Sequence, residues 1–140
     1  MGTWGTGYFE DDHALDFMAE IEDSVNPKQI IQEALKLALD SDFLDADEGT
    51  AAIISATFID AQLNGTKFSG DAENPLYVDT FSSKNPSILL SDLKTDAVRA
   101  LHKVLADDSE LNELWAENEE DYPKWKNGIE KLIFSLSNSL

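Results

Sequence analysis

The residues with the clearest catalytic potential are two histidines, His13 and His102, and a large set of carboxylates. General acid–base catalysis and metal-dependent hydrolysis both need histidine and carboxylates at a fixed spacing. The two histidines lie far apart, in no motif of either kind, and the chain has no cysteine for a thiol nucleophile or a zinc–thiolate site. The sequence therefore predicts a non-catalytic protein with no cofactor. An enzyme or divalent-metal-binding hydrolase with converged carboxylates is the alternative hypothesis.

A glycine-rich loop, Gly5-Thr6-Gly7, precedes the first predicted helix. Such loops can cradle phosphate at a helix N-terminus. Here no strand precedes the loop, no Lys-Ser/Thr pair follows it, and Glu10, Asp11 and Asp12 would repel an anion. We therefore interpret residues 1–11 as an irregular arm that packs on the helical body. The structural motif of this arm consists of Trp4, Gly5, Gly7 and Phe9.

An acidic linker over residues 40–49 is the most obvious candidate for a calcium loop. An EF-hand loop needs a glycine at its centre and a bidentate glutamate at its end. When the loop is started at Asp40 or Asp42, that last position holds Ala51 or Ile53. Helix capping therefore explains these acids better, and a loose, weak divalent site is the alternative.

Net charge is the dominant global property, with 28 acids against 10 Lys and Arg and a formal charge of −18. Such a field repels nucleic acid and anionic lipid and attracts basic proteins. The sequence predicts a basic protein partner and no nucleic-acid partner. An immunity-type inhibitor or an adaptor is the concrete form of this hypothesis, and an ordinary solvated surface is its alternative. The predicted partner-binding residues are Trp115, Glu110, Glu113, Glu117, Asp12, Asp16 and Glu20.

The sequence allows more than one environment for two further residues, Trp115 and Asp60. Trp115 lies inside an acidic run, residues 107–121, where it either anchors a partner or closes the core with Trp125. Asp60 is a single carboxylate on an otherwise apolar helix, and if buried it needs a partner such as Arg99 or a lysine.

The elements that position these residues are helices. Apolar residues recur at helical spacing, for example at Ala14, Phe17, Met18 and Ile21, and no strand-like alternation competes. The main helices are predicted at residues 12–25, 27–40, 48–64, 91–105 and 122–136. Asn26 is the predicted N-cap of the second helix, Asn64-Gly65 ends the third, and Ser109 caps a further short helix. Apolar residues cover most of the circumference of the third helix, which is expected to be the most buried. Residues 65–90 form a long irregular connection in which Asn74-Pro75 can start a short helix to Phe81. The expected fold is a compact, all-α, single-domain bundle over residues 1–140, with five main and one or two short helices.

The N-terminus shows neither the basic region nor the apolar core of a signal peptide. Apolar stretches are shorter than the ~20 residues that cross a bilayer. We therefore expect a soluble cytoplasmic protein without membrane contact.

Three segments together resemble a known family. They are residues 2–12 (GTWGTGYFEDD) with residues 14–17, residues 108–115 (DSELNELW), and Trp125 with the apolar helix that follows. These segments are similar to the bacterial domain-of-unknown-function family numbered 4259. The resemblance covers nearly the whole chain and is weakest at residues 65–91. It implies no activity for any residue.

Overall fold

The computed structural model describes residues 5–68, 73 and 75–138. It confirms the predicted all-α bundle, with five main helices and two short ones, α4 and α6. Within the described ranges there is no β-strand, only an isolated bridge between Leu44 and Ser109. The helices are α1 (Asp12–Asp23), α2 (Pro27–Asp40), α3 (Ala46–Asn64), α4 (Tyr77–Lys84), α5 (Lys94–Val104), α6 (Glu110–Ala116) and α7 (Tyr122–Ser137), with a 3-10 turn at Ser91–Leu93.

Helix α3 is the centre of the bundle, and all six other helices pack against it. Apolar residues cover most of its circumference, so it can bury contacts on every side. Phe58, Ile54 and Ile59 are fully buried, and small residues such as Ala52 and Ala56 let neighbouring helices approach closely. The prediction that α3 is the most buried helix is confirmed.

Side-chain caps set the start of several helices. The Asp11 carboxylate accepts hydrogen bonds from the backbone N–H groups of His13 at 2.7 Å and Ala14 at 3.2 Å, which begins α1. Asp45 and Glu48 form a reciprocal capping box at the start of α3. Ser109 caps α6 as predicted, because its Oγ accepts from the Asn112 N–H at 3.4 Å.

One prediction at the α1–α2 junction is wrong. Helix α1 ends at Asp23 rather than Val25, because Ser24 adopts an extended conformation and Val25 is fully exposed. Asn26 lies at the predicted N-cap position of α2, but its side chain makes no capping hydrogen bond, and its amide donates to Gln29 Oε1 at 3.0 Å. Pro27, with its fixed φ at the first helical position, is what begins α2.

The connection over residues 65–90 contains helix α4, which ends at Lys84 rather than Phe81. The predicted start at Asn74 lies outside the described residues. Phe81 is buried and its ring meets Phe58 edge-on, with centroids 5.4 Å apart. The Gln62 side chain donates to the Ile88 carbonyl at 2.7 Å and accepts from the Leu90 N–H at 2.6 Å. The later part of the connection is therefore attached to α3.

The described part of the N-terminal arm, residues 5–11, lies against α7 and the segment after α3. The Tyr8 hydroxyl donates to the Gly128 carbonyl at 2.5 Å. The rings of Tyr8 and Phe9 meet the Phe68 ring edge-on, at centroid distances of 5.6 and 6.1 Å. Trp4 lies outside the described residues. None of the described helices has the length and apolar character needed to cross a membrane.

The glycine loop of the arm surrounds a carboxylate of its own chain. The Gly7 N–H donates to Glu10 Oε1 at 3.0 Å. A Cβ at Gly5 would lie 2.2 Å from Glu10 Oε2, so a side chain there would displace the Glu10 carboxylate. The Glu10 carboxylate therefore occupies the concave side of the glycine loop, where a bound phosphate would otherwise lie.

Candidate functional site

An open groove lies between α1, α2 and the start of α3, with a volume of about 280 Å³. We call it the acidic groove. Its floor is apolar, and Leu37 within it is 56% exposed. Four carboxylates line the groove, and none of its described lining residues is basic. The apolar lining consists of Phe17, Ile30, Ala34, Leu37 and Ala51, and the acids are Glu20, Glu33, Asp47 and Glu48.

Helix α2 creates this groove because it has two apolar stripes. One stripe, which includes Ile31, Leu35 and Ala38, is buried in the core. The other, Ile30, Ala34 and Leu37, recurs at i, i+4 and i+7 and faces the groove. The sequence signal for this groove is that the apolar residues of α2 cover a wider surface than one core-facing stripe requires.

Internal contacts engage three of the four groove acids. Asp47 Oδ1 lies 3.5 Å from Nε2 of His13, and Glu33 accepts from the Gln29 side chain at 2.9 Å. Glu48 accepts from Ser41 Oγ at 3.1 Å and belongs to the α3 capping box. Among the described residues, Glu20 has no such contact and is exposed. Glu20 is therefore the groove acid most available to an incoming cation.

The predicted partner-binding residues on α1 are exposed, and one of them belongs to the groove. Asp12, Asp16 and Glu20 follow one another at four-residue spacing along the solvent side of α1. Glu20 lines the acidic groove, whereas Asp12 and Asp16 continue the acidic surface toward the start of the helix. Like charges at this spacing slightly weaken an isolated helix, so local helix stability does not account for them.

The predicted residues on α6 have mixed environments. Glu113 and Glu117 are exposed. Glu110 instead caps α3, because its Oε1 accepts from the Ala46 N–H at 2.7 Å. Trp115 is half-buried and stacks on Trp125, with ring centroids 6.0 Å apart and an interplanar angle of 14°. This stacking agrees with the interpretation in which Trp115 closes the core with Trp125.

A second concave site, which we call the arm cavity, lies between the arm, the segment after α3, and α7. Its volume is about 410 Å³. Aromatic side chains of Tyr8, Phe9 and Phe68 form part of its wall. The remaining lining residues are Gly7, Glu10, Asp60, Thr66, Lys67, Lys131, Leu132 and Ser135. The sequence did not predict this cavity, because its lining residues come from three distant segments.

Asp60, which lines the arm cavity, is only 2% exposed. Its Oδ1 accepts hydrogen bonds from Ser135 Oγ at 2.6 Å and Asn64 Nδ2 at 2.7 Å. The prediction that a buried Asp60 pairs with Arg99 or a lysine is therefore wrong, and Arg99 instead lies 3.5 Å from Asp96. Two neutral donors therefore take the place of the expected cation, and both of them bond the same carboxylate oxygen.

Tyr8 is affected by its position in this cavity. Burial raises the pKa of the Tyr8 hydroxyl, and the nearby negative charge of Asp60 raises it further, to about 12. Both causes disfavour the phenolate, the first by desolvation and the second by repulsion. Tyr8 is therefore a neutral hydrogen-bonding group at physiological pH.

No metal site accompanies these acids in the described part of the chain, where no three His, Asp or Glu side chains are grouped to hold an ion. In the linker over residues 40–49, Asp45 and Glu48 cap α3. This arrangement confirms the helix-capping interpretation for those two residues.

The fold and these surfaces define an acidic helical bundle that carries an acid-lined apolar groove and a mixed-charge cavity. The chain belongs to the family described as Domain of unknown function (DUF4259), whose family model matches residues 2–128. The resemblance carried by the N-terminal glycine-aromatic motif and the α6 motif is thereby confirmed. No curated protein and no solved structure matches the chain.

Proposed function

We propose that this protein is a non-catalytic binding module that uses its acidic surface to engage a basic protein in the cytoplasm. An immunity-type inhibitor or an adaptor is the concrete form of the proposal. The observation that carries it is the acidic groove, where an exposed apolar floor is lined by carboxylates and by no described base. The absence of cysteine fits a reducing compartment.

The groove suits a segment that presents apolar side chains flanked by lysine or arginine. Burial of Leu37 and Phe17 against such a segment would supply non-directional affinity. The flanking cations would meet Glu20 and its neighbouring acids, which sets orientation and rejects acidic competitors. An amphipathic basic helix has this chemistry.

The formal charge of −18 supports the same partner class at long range. A field of one sign raises the association rate of oppositely charged proteins, and salt reduces this effect. Exposed acids on α1 and α6, including Asp16, Glu113 and Glu117, extend this field beyond the groove. We propose that they steer the partner, whereas the groove binds it.

The first test is a tagged pull-down from the native host at low and high salt, with quantitative mass spectrometry. We expect one stoichiometric basic protein whose recovery falls as salt increases. If no basic protein binds at physiological salt, the proposal is wrong.

Titration calorimetry with divalent cations tests the alternative, because a tight stoichiometric metal would favour the hydrolase hypothesis.

Charge reversal then tests the location of the contact. Glu20→Lys places a cation in the groove, and we expect about tenfold or greater loss of partner affinity. Glu22→Lys is the matched control, since Glu22 is an exposed glutamate of α1 that does not line the groove. Both variants change the net charge equally, so equal losses would place the contact elsewhere on the surface.

A further inference from the structure

We propose that the arm cavity binds a small zwitterion of amino-acid size, with its ammonium group at Asp60 and its carboxylate at Lys67 and Lys131. This site is separate from the acidic groove and does not depend on the proposed protein partner. Three observations carry the proposal: a buried carboxylate with one oxygen that accepts no hydrogen bond from a described residue, an aromatic wall, and two lysines on the same cavity that form no ion pair with a described residue.

The first observation is the incomplete bonding of Asp60. Both of its hydrogen bonds, from Ser135 and Asn64, end on the same oxygen, Oδ1. Among the residues that the structure describes, none donates to Oδ2 or forms an ion pair with Asp60. A carboxylate that is 2% exposed is costly to keep charged without a cation. Because Asp60 lines the cavity, an ammonium group bound there would supply the missing charge and donors.

The second observation is the aromatic wall beside this carboxylate. The rings of Tyr8 and Phe9 each meet the Phe68 ring edge-on, and all three line the cavity. Ring faces attract a cation, and ring surfaces also pack against apolar side chains. The Tyr8 hydroxyl donates a hydrogen bond to the Gly128 carbonyl. Its oxygen can still accept a hydrogen bond from an ammonium group.

The third observation is a pair of lysines. Lys67 and Lys131 are exposed at the cavity, and neither forms an ion pair with any described residue. Their charges attract an anionic group, whereas Asp60 attracts a cationic one. A ligand that carries both charges can therefore pair with both kinds of charged side chain that line the cavity.

The size of the cavity is consistent with this ligand class. Its volume of about 410 Å³ lies in the range of small-molecule sites, which starts near 300 Å³. A free amino acid with an apolar side chain matches the combination of a buried acid, aromatic rings and two lysines. Because Gly7, Tyr8 and Phe9 line the cavity, we expect the bound ligand to hold the arm against the bundle.

The test starts with the wild-type protein, titrated by calorimetry with each of the free proteinogenic amino acids. We expect at least one with an apolar side chain to bind with millimolar or tighter affinity. The best ligand is then compared with its N-acetyl and its amide derivatives. We expect N-acetylation to weaken binding about tenfold or more, since it removes the ammonium charge, and amidation to weaken it as well. The proposal is overturned if no free amino acid binds, or if the N-acetyl form binds equally well.

Variants test the residues themselves. Asp60→Asn keeps the size of the side chain and an acceptor for Ser135 and Asn64, and we expect about tenfold or greater loss of affinity. The double variant Lys67→Gln/Lys131→Gln should weaken the zwitterion but leave the amide nearly unaffected. Lys36→Gln is the matched control, because Lys36 is an exposed lysine on α2 outside the cavity.

Unchanged affinity in a folded Asp60→Asn protein would contradict the proposal. If that variant does not fold, the derivative series still decides.

Discussion

At the residue scale, Tyr8 joins three parts of the molecule. Its hydroxyl bonds to α7 at Gly128, its ring contacts Phe68 beyond α3, and the charge of Asp60 acts on it from α3. A tyrosine suits this position because its body is apolar and its tip is a hydrogen-bond donor. Loss of that proton would place a phenolate against the Gly128 carbonyl and the Asp60 carboxylate.

Tyr8 predicts a loss of stability at high pH. The pKa of Tyr8 is raised from 10.0 to about 12 in the folded protein, so the folded state holds this proton more tightly than the unfolded state. The stabilisation is fully present below pH 10 and is lost as pH rises through about 12. Urea denaturation across this range, with phenolate absorbance recorded in parallel, measures the effect.

The Tyr8→Phe variant isolates this effect from lysine titration in the same range. We expect the stability of wild type to fall more steeply than that of Tyr8→Phe. Tyr122→Phe, which retains Tyr8, serves as the control and should follow wild type in its slope. Parallel curves for wild type and Tyr8→Phe would show that Tyr8 is not responsible.

At the element scale, the starts of α3 and α6 are held together. The Leu44 N–H donates to the Asp108 carbonyl at 2.9 Å, and the Glu110 N–H donates to the Leu44 carbonyl at 2.8 Å. The Glu110 carboxylate also caps α3 at Ala46. Acids at these positions lie near the positive N-terminal ends of two helix dipoles. Some of the acidic residues therefore stabilise the fold.

The α3 capping box predicts a difference between two acids of the same linker. Asp45→Ala removes the side chain that accepts from the Glu48 N–H at 2.8 Å, and we expect the free energy of unfolding to fall by about 1 kcal/mol. Asp42→Ala is the matched control, since Asp42 is exposed and its side chain forms no hydrogen bond or ion pair with a described residue. Its effect should stay within about 0.5 kcal/mol. Chemical denaturation measures both, and equal effects would contradict the capping role of Asp45.

At the scale of the whole molecule, the net charge opposes folding while it favours the proposed partner. Only ten bases face 28 acids, so local ion pairs cannot neutralise the surface. The pairs present, such as Arg99–Asp96 and Lys124–Asp121, are exposed and contribute little. Repulsion among the remaining acids raises the free energy of the compact state.

Salt is therefore expected to stabilise the protein. Because screening weakens repulsion more than it weakens a few exposed pairs, the urea midpoint should rise with sodium chloride concentration. Magnesium chloride at equal ionic strength provides the comparison. Similar midpoints would fit general screening, whereas a much larger rise with magnesium would reveal a specific ion site and contradict the charge explanation. A midpoint that falls with sodium chloride would also contradict it.

Much of the fold could be predicted because its signals are local. Helical spacing of apolar residues located the helices, and Asn64-Gly65 correctly marked the end of α3, where Gly65 adopts a left-handed φ of 70°. The error at Val25 is of a different kind. It concerns the residue at which the chain leaves the helix, where several local hydrogen bonds compete and periodicity carries no information.

The acidic groove and the arm cavity are formed by residues far apart in the sequence, so no local sequence pattern predicts them. The sequence by itself determined an all-helical, acidic chain and a central apolar α3, because residue spacing and charge are properties of neighbours along the chain. Only the tertiary structure decided that Ser135, 75 residues away, bonds Asp60, and that Tyr8 reaches Gly128, 120 residues away. Helical periodicity defines which face of each helix is apolar, but the packing of all the helices decides which faces meet. The acidic groove and the arm cavity form where that packing leaves space between them.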